Sequence, residues 1–88
     1  MAREIRLGGK ERAVIRAIGF GMGITGEELQ VQTQLPPEDL VDVLNALLSM
    51  GYIETPTMQE SVAQSGYAAE TFEVNPACAS DLKAAIRK

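Results

Sequence analysis

Most of the side chains able to do chemistry in this chain are ions, and they are sorted by sign along it. Residues 1–16 carry Arg3, Arg6, Lys10, Arg12 and Arg16 against Glu4 and Glu11. Residues 17–82 carry ten carboxylates and neither lysine nor arginine; Lys83, Arg87 and Lys88 then close the chain, for a net charge of −4. An anionic body between two cationic ends suits recognition of charged partners, the ends taking anions and the body taking cations. The plain alternative is solubility charge that happens to cluster.

Proton transfer and nucleophilic attack have little to work with. Histidine is absent, which removes the commonest general base and metal ligand. Cys78, the single thiol, excludes an internal disulfide and fits a reducing cytosol. It lies near the start of the last helix with no base beside it, so packing against Ala79 explains it better than nucleophilic work. Glu38, Asp39 and Asp42 could hold a hard cation weakly, but acids in the first turn of a helix already complement its dipole. Gly21-Met22-Gly23-Ile24-Thr25-Gly26 spells G-x-G-x-x-G, yet it follows a helix and belongs to no βαβ unit, so it reads as a helix break. Met58 could offer an adaptable contact, whereas Met22 and Met50 fit core positions. Two tyrosines and two phenylalanines are too few for single-strand base stacking. No catalytic, cofactor or metal residue follows from these patterns, and the chain is expected to be no enzyme.

With 88 residues the chain fits one domain: a lead-in over 1–9 and a single globular unit over 10–88. The longest mainly apolar stretch, Ala17 to Ile24, holds three glycines, so neither a membrane span nor a signal segment is expected, and the expected location is cytoplasmic.

The elements that must position these groups follow from periodicity and caps. Val14, Ile15, Ile18 and Met22 predict a first helix from about Lys10 to Phe20, with Arg12 and Arg16 on its other side and glycines ending it. Ile5 and Leu7 alternate within the loose lead-in. Thr25 with Glu28 predicts a capping box, and Ile24 with Leu29 a hydrophobic staple, opening a short second helix that ends near Gln32. Pro37 at the first helical position opens a third helix to Met50, buried through Leu40, Val43, Leu44 and Leu47, with Gly51 as its left-handed cap. Residues 52–55 predict a strand, 57–66 an aperiodic loop, and Thr71–Val74 a second strand that Tyr67–Glu70 would extend. Asn75-Pro76 starts a final helix reaching about Arg87, with Ala79, Leu82, Ala85 and Ile86 on one stripe.

This order resembles the winged helix-turn-helix family. The resemblance is carried by Ile24-Thr25-Gly26-Glu27-Glu28-Leu29, by Leu35-Pro36-Pro37-Glu38-Asp39-Leu40, and by Leu44, Leu47 and Gly51-Tyr52-Ile53-Glu54, within residues 10–75. It implies a mostly helical α+β fold: a three-helix core, a two-stranded hairpin wing and a C-terminal helix. It also implies a third helix that enters the DNA major groove and a wing against the backbone, although the fold is widely reused for protein contacts.

The residues depart from that docking mode. The outer face of the third helix offers Glu38, Asp39, Asp42 and Asn45, of which only Asn45 suits a base edge, and the hairpin holds Glu54, Glu60, Glu70 and Glu73 without a cation. Such a surface releases no counterions from phosphates and repels them. Gln30, Gln32 and Gln34 are neutral donors that supply little electrostatic affinity. Val41 and Leu48 flank the buried stripe, either as an exposed apolar edge for a partner or as the rim of a wide core. The expected function is protein–protein interaction or dimerisation, in transcriptional control where the fold is common. Glu38, Asp39, Val41, Asp42, Asn45 and Leu48 form the candidate partner surface, and Arg12, Arg16, Lys83, Arg87 and Lys88 a basic face. The alternative is a DNA-binding regulator that uses this basic face on phosphates. Pairing of the basic ends with Glu11 and Asp81 would instead make the face structural.

Overall fold

The computed structural model describes residue 5 and residues 7–87. The expectations for Arg3, Arg6 and Lys88, and most of the lead-in, lie outside the described residues. The described part is a small, mostly helical α+β fold: α1 (Gly9–Ile18), β1 (Ile24–Thr25), α2 (Gly26–Thr33), α3 (Pro37–Ser49), β2 (Ile53–Glu54), β3 (Thr71–Val74) and α4 (Ala79–Ile86).

Helix α1 stops at Ile18, where Gly19 takes φ +72° and donates its N–H to the carbonyl of Ile15. The termination overturns one expectation. Met22 lies beyond the helix, so its helical spacing from Ile18 no longer points inward, and it is 94% exposed. Met50 is likewise exposed, because α3 ends at Ser49 and Gly51 (φ +76°) turns the chain. The α3 terminus is closed by Gly51 N–H to Leu48 and Tyr52 N–H to Leu47.

At α2, the Thr25 hydroxyl accepts from Glu28 N–H at 3.2 Å, as the cap predicts. Only that half of the capping box forms; the full reach of a glutamate back to its cap residue appears at α1, where Gly8 N–H donates to Glu11 Oε1 at 2.7 Å. Ile24 and Leu29 are both buried, as a staple requires.

The sheet is antiparallel in the order β1-β3-β2, so the expected two-stranded hairpin has a third member. Ile24 lies opposite Phe72 and Thr25 opposite Thr71; on the other edge Ile53 faces Val74 and Glu54 faces Glu73. A two-residue strand has no alternation to read, and β1 exists only through its pairing with β3. Tyr67–Ala69 does not extend β3 but forms a 3₁₀ turn, and a second one, Pro76–Cys78, precedes α4. Asn75 caps that turn, its Oδ1 accepting from Ala77 N–H at 3.0 Å.

The core lies between the helices and one face of the sheet. Phe72, Ile15, Leu29, Leu40, Leu44, Leu47, Leu82 and Val14 are fully enclosed, each contributing about 1.5–3 kcal/mol of burial. Ile5 is buried in the same cluster, so the lead-in is tied down at that point.

Candidate functional site

The outer stripe of α3 is not open. Val41 is 8% exposed and Leu48 9%, so they belong to the core cluster and the expected exposed apolar edge does not form. A central helix in a small domain is surrounded widely enough to take up both. Asn45, between them on the same stripe, is half-buried and engaged at both ends of its amide: its Nδ2 donates to the carbonyl of Val62 at 3.1 Å, and its Oδ1 accepts from Val62 N–H at 2.7 Å. A primary amide has one acceptor and donors in one plane, which match the C=O and N–H of a single extended residue. Asn45 therefore turns one N–H and its carbonyl oxygen to the chain's own loop. Of the α3 candidates, Glu38 and Asp42 remain exposed, while Asp39 pairs with Lys10 (Nζ to Oδ2, 3.2 Å). Half-exposed partners make that pair worth less than about 1 kcal/mol.

The two terminal helices that carry the basic residues pack together. Arg16 Nη2 donates to the carbonyl of Ile86 at 2.7 Å, joining the last turn of α1 to the last turn of α4. Lys83 Nζ sits 5.2 Å from the centroid of the Phe20 ring, a cation–π distance. Arg16, Lys83 and Arg87 are exposed, and Arg12 is half-buried one turn before Arg16. The Arg12 Nε is enclosed without a hydrogen-bond partner among the described residues. Glu11 is held by Gly8, and Lys10–Asp39 is the one salt bridge among the described residues, so Arg12, Arg16, Lys83 and Arg87 have no carboxylate partner there.

Other candidates are absorbed by packing. Gln30 accepts from the Tyr67 hydroxyl at 2.8 Å, Gln34 is the left-handed cap of α2 (φ 57°), and only Gln32 and Gln34 are exposed. In the G-x-G-x-x-G run, a side chain at Gly26 would overlap the backbone oxygen of Tyr67. Gly23 has φ +88°, and there a Cβ would meet the backbone oxygen of Phe72 at 2.9 Å. Gly21 has open space around it. Two of the three glycines thus serve close approach to the sheet and the Tyr67 turn. Cys78 is half-buried, its Sγ 3.7 Å from the carbonyl of Gly51. Among the described residues no group of three His, Cys, Asp or Glu side chains gathers closely enough to hold a metal ion.

Sequence reasoning missed three participants: Val62, Phe20 and the Ile86 carbonyl. Val62 had a signal, a branched aliphatic residue within the polar run 57–66. The carbonyl had none, because any residue supplies one.

No protein-family model, curated protein or solved structure matches the chain. Among the described residues no helix is long and apolar enough to cross a membrane.

Proposed function

We propose that this is a non-enzymatic winged-helix module that works through protein–protein contact or dimerisation in transcriptional control. The reading rests on one observation above all: Asn45, the one base-reading side chain on the outer face of α3, is bonded twice to Val62. The charged groups that α3 leaves exposed are the carboxylates of Glu38 and Asp42, which repel phosphates. The sheet order β1-β3-β2, with β2 and β3 as an antiparallel pair, suits a wing and supports the family resemblance. The partner surfaces are the acidic end of α3 and the cationic junction of α1 with α4. In self-association the two would meet head to tail, a heterologous contact that grows unless it closes.

Sedimentation at about 20 mM and about 500 mM salt tests this, because screening at the higher value removes contacts between exposed charges. The expected result is a mass that rises with protein concentration at low salt only, and that falls to the monomer in Arg16→Glu. A monomer under every condition removes self-association and leaves a different protein as the partner.

The gathering of Arg12, Arg16, Lys83 and Arg87 on two joined helices favours a second reading, a DNA-binding regulator that holds phosphates there. Duplex binding that strengthens steeply as salt falls, and is lost in Lys83→Glu, would establish it in place of the first.

A further inference from the structure

The connection from β2 to β3 is far longer than its job requires. Ile53–Glu54 and Glu73–Val74 are adjacent antiparallel partners, which a turn of about 2–5 residues joins. The chain instead uses residues 55–70, which include the 3₁₀ turn Tyr67–Ala69, and connections of that length are uncommon in small domains. Both ends are anchored. The Thr55 hydroxyl accepts from Gln59 N–H at 3.0 Å, and the Tyr67 hydroxyl donates to Gln30 on α2. Between these anchors, Val62 is the point of attachment, held by the Asn45 amide and packed against the core cluster. The rest of 56–66 is exposed, and Met58 sits at φ +56°.

The strap covers α3 only at Val62 and leaves its flank near Leu48 open. Clefts of about 190 Å³ and about 450 Å³ open beside it; both are walled by Leu48 and Glu60, and the smaller also by Glu54. The strap thus sets the Glu60 carboxylate along a cleft that already holds Glu54, on a helix whose exposed charges are Glu38 and Asp42. Its backbone and Val62 fit the site, but its charge does not.

We propose that the Val41–Asn45–Leu48 stripe of α3 is a peptide-docking site occupied in cis by Val62, and that its partner in trans is an extended, basic peptide segment with a branched aliphatic residue. Asn45 reads the N–H and C=O of that residue as it reads those of Val62, and the aliphatic side chain packs against the core cluster to which Val41 and Leu48 belong. Cations beside it answer Glu54, Asp42 and Glu38, which the cis strap leaves unanswered. This deepens the acidic α3 surface proposed above, with which it shares Glu38 and Asp42, and rests on that reading for the sign of the partner; a nucleic acid cannot replace the peptide, because the rim has the wrong sign.

The test uses the full chain and a synthetic peptide of residues 59–65 bearing Glu60→Lys, with the unaltered peptide alongside. Hydrogen exchange comes first: the Val62 amide is expected to exchange at least about 10-fold faster than that of Leu44, through local opening. The Lys-bearing peptide is then expected to shift the Asn45 side-chain amide resonances. In Val62→Gly or the milder Val62→Ala, where the cis competitor is weakened, it should bind roughly 10-fold tighter. It should bind more tightly than the unaltered peptide, and Asn45→Ala should abolish the response. A Val62 amide as slow as that of Leu44 would overturn the proposal. So would unchanged resonances in the Val62 variants at millimolar peptide, or equal binding of the two peptides.

Discussion

Arg16 and Ile86 join the two ends of the described fold: the guanidinium of one donates to the main-chain carbonyl of the other at 2.7 Å. One charged group thereby does two things. It satisfies a carbonyl in the last turn of α4, which has no partner within its helix, and it offsets the negative end of that helix dipole. The other guanidinium N–H groups remain exposed, so this is a structural contact with spare capacity for a partner.

Arg16→Ala is therefore expected to destabilise the fold by about 1 kcal/mol, below the range for buried charged hydrogen bonds because the site is exposed. Amide exchange in the α4 backbone should rise more than in α3. Arg16→Lys keeps the charge but not the planar fork, and should recover only part of the loss in urea unfolding.

Gly26 and Gly21 separate a packing role from a phosphate-binding one. Because a Cβ at Gly26 would overlap the Tyr67 backbone, Gly26→Ala should cost about 3 kcal/mol or more in thermal or chemical unfolding. Gly21 has no neighbour to meet, so Gly21→Ala should change stability by less than about 0.5 kcal/mol. Equal losses at the two positions would contradict the packing account of the run.

Glu54 and Glu73 stand directly opposite one another on β2 and β3. Like charges at facing positions of an antiparallel pair oppose folding, so Glu54→Lys should stabilise the protein by about 0.2–1 kcal/mol. Added salt should narrow the gap between variant and parent, since it screens the repulsion in the parent and the attraction in the variant. A destabilised Glu54→Lys would mean that the facing carboxylates do not oppose each other.

Asn75 ties two elements with one side chain. Its Oδ1 caps the turn before α4, and its Nδ2 donates to the carbonyl of Gly51 at 2.9 Å, at the end of α3. Asn75→Ala should cost about 1–2 kcal/mol, while Asn75→Asp keeps the cap and loses the tie to Gly51. Unfolding of both variants measures the two bonds separately.

These relationships divide into what a linear reading reaches and what it does not. The start of α3 at Pro37, its buried leucines and the turn at Gly51 were legible because caps, periodicity and left-handed glycine are local physics. Met22 was misread because its spacing was carried past Gly19, where the helix had already ended. Strand β1 was invisible because two residues have no period, and Tyr67 was misread as strand because its contacts lie on α2. Of the candidate site, the segregation of charge was legible, and the contact of Arg16 with Ile86 required α1 to pack on α4. Asn45 was recognised as the useful polar group on α3, but its partner Val62 is 17 residues away and no local rule joins them.

The acidic surface of α3 and the sheet should keep a polyanion away. Fluorescence anisotropy of a labelled random-sequence duplex, titrated with the protein from about 50 mM to about 200 mM salt, tests this most directly. The account predicts no saturable binding at either salt, for the parent protein and for Asn45→Ala alike. Micromolar binding at the lower salt that weakens by orders of magnitude at the higher, and that is lost when the α3 face is altered, would contradict it.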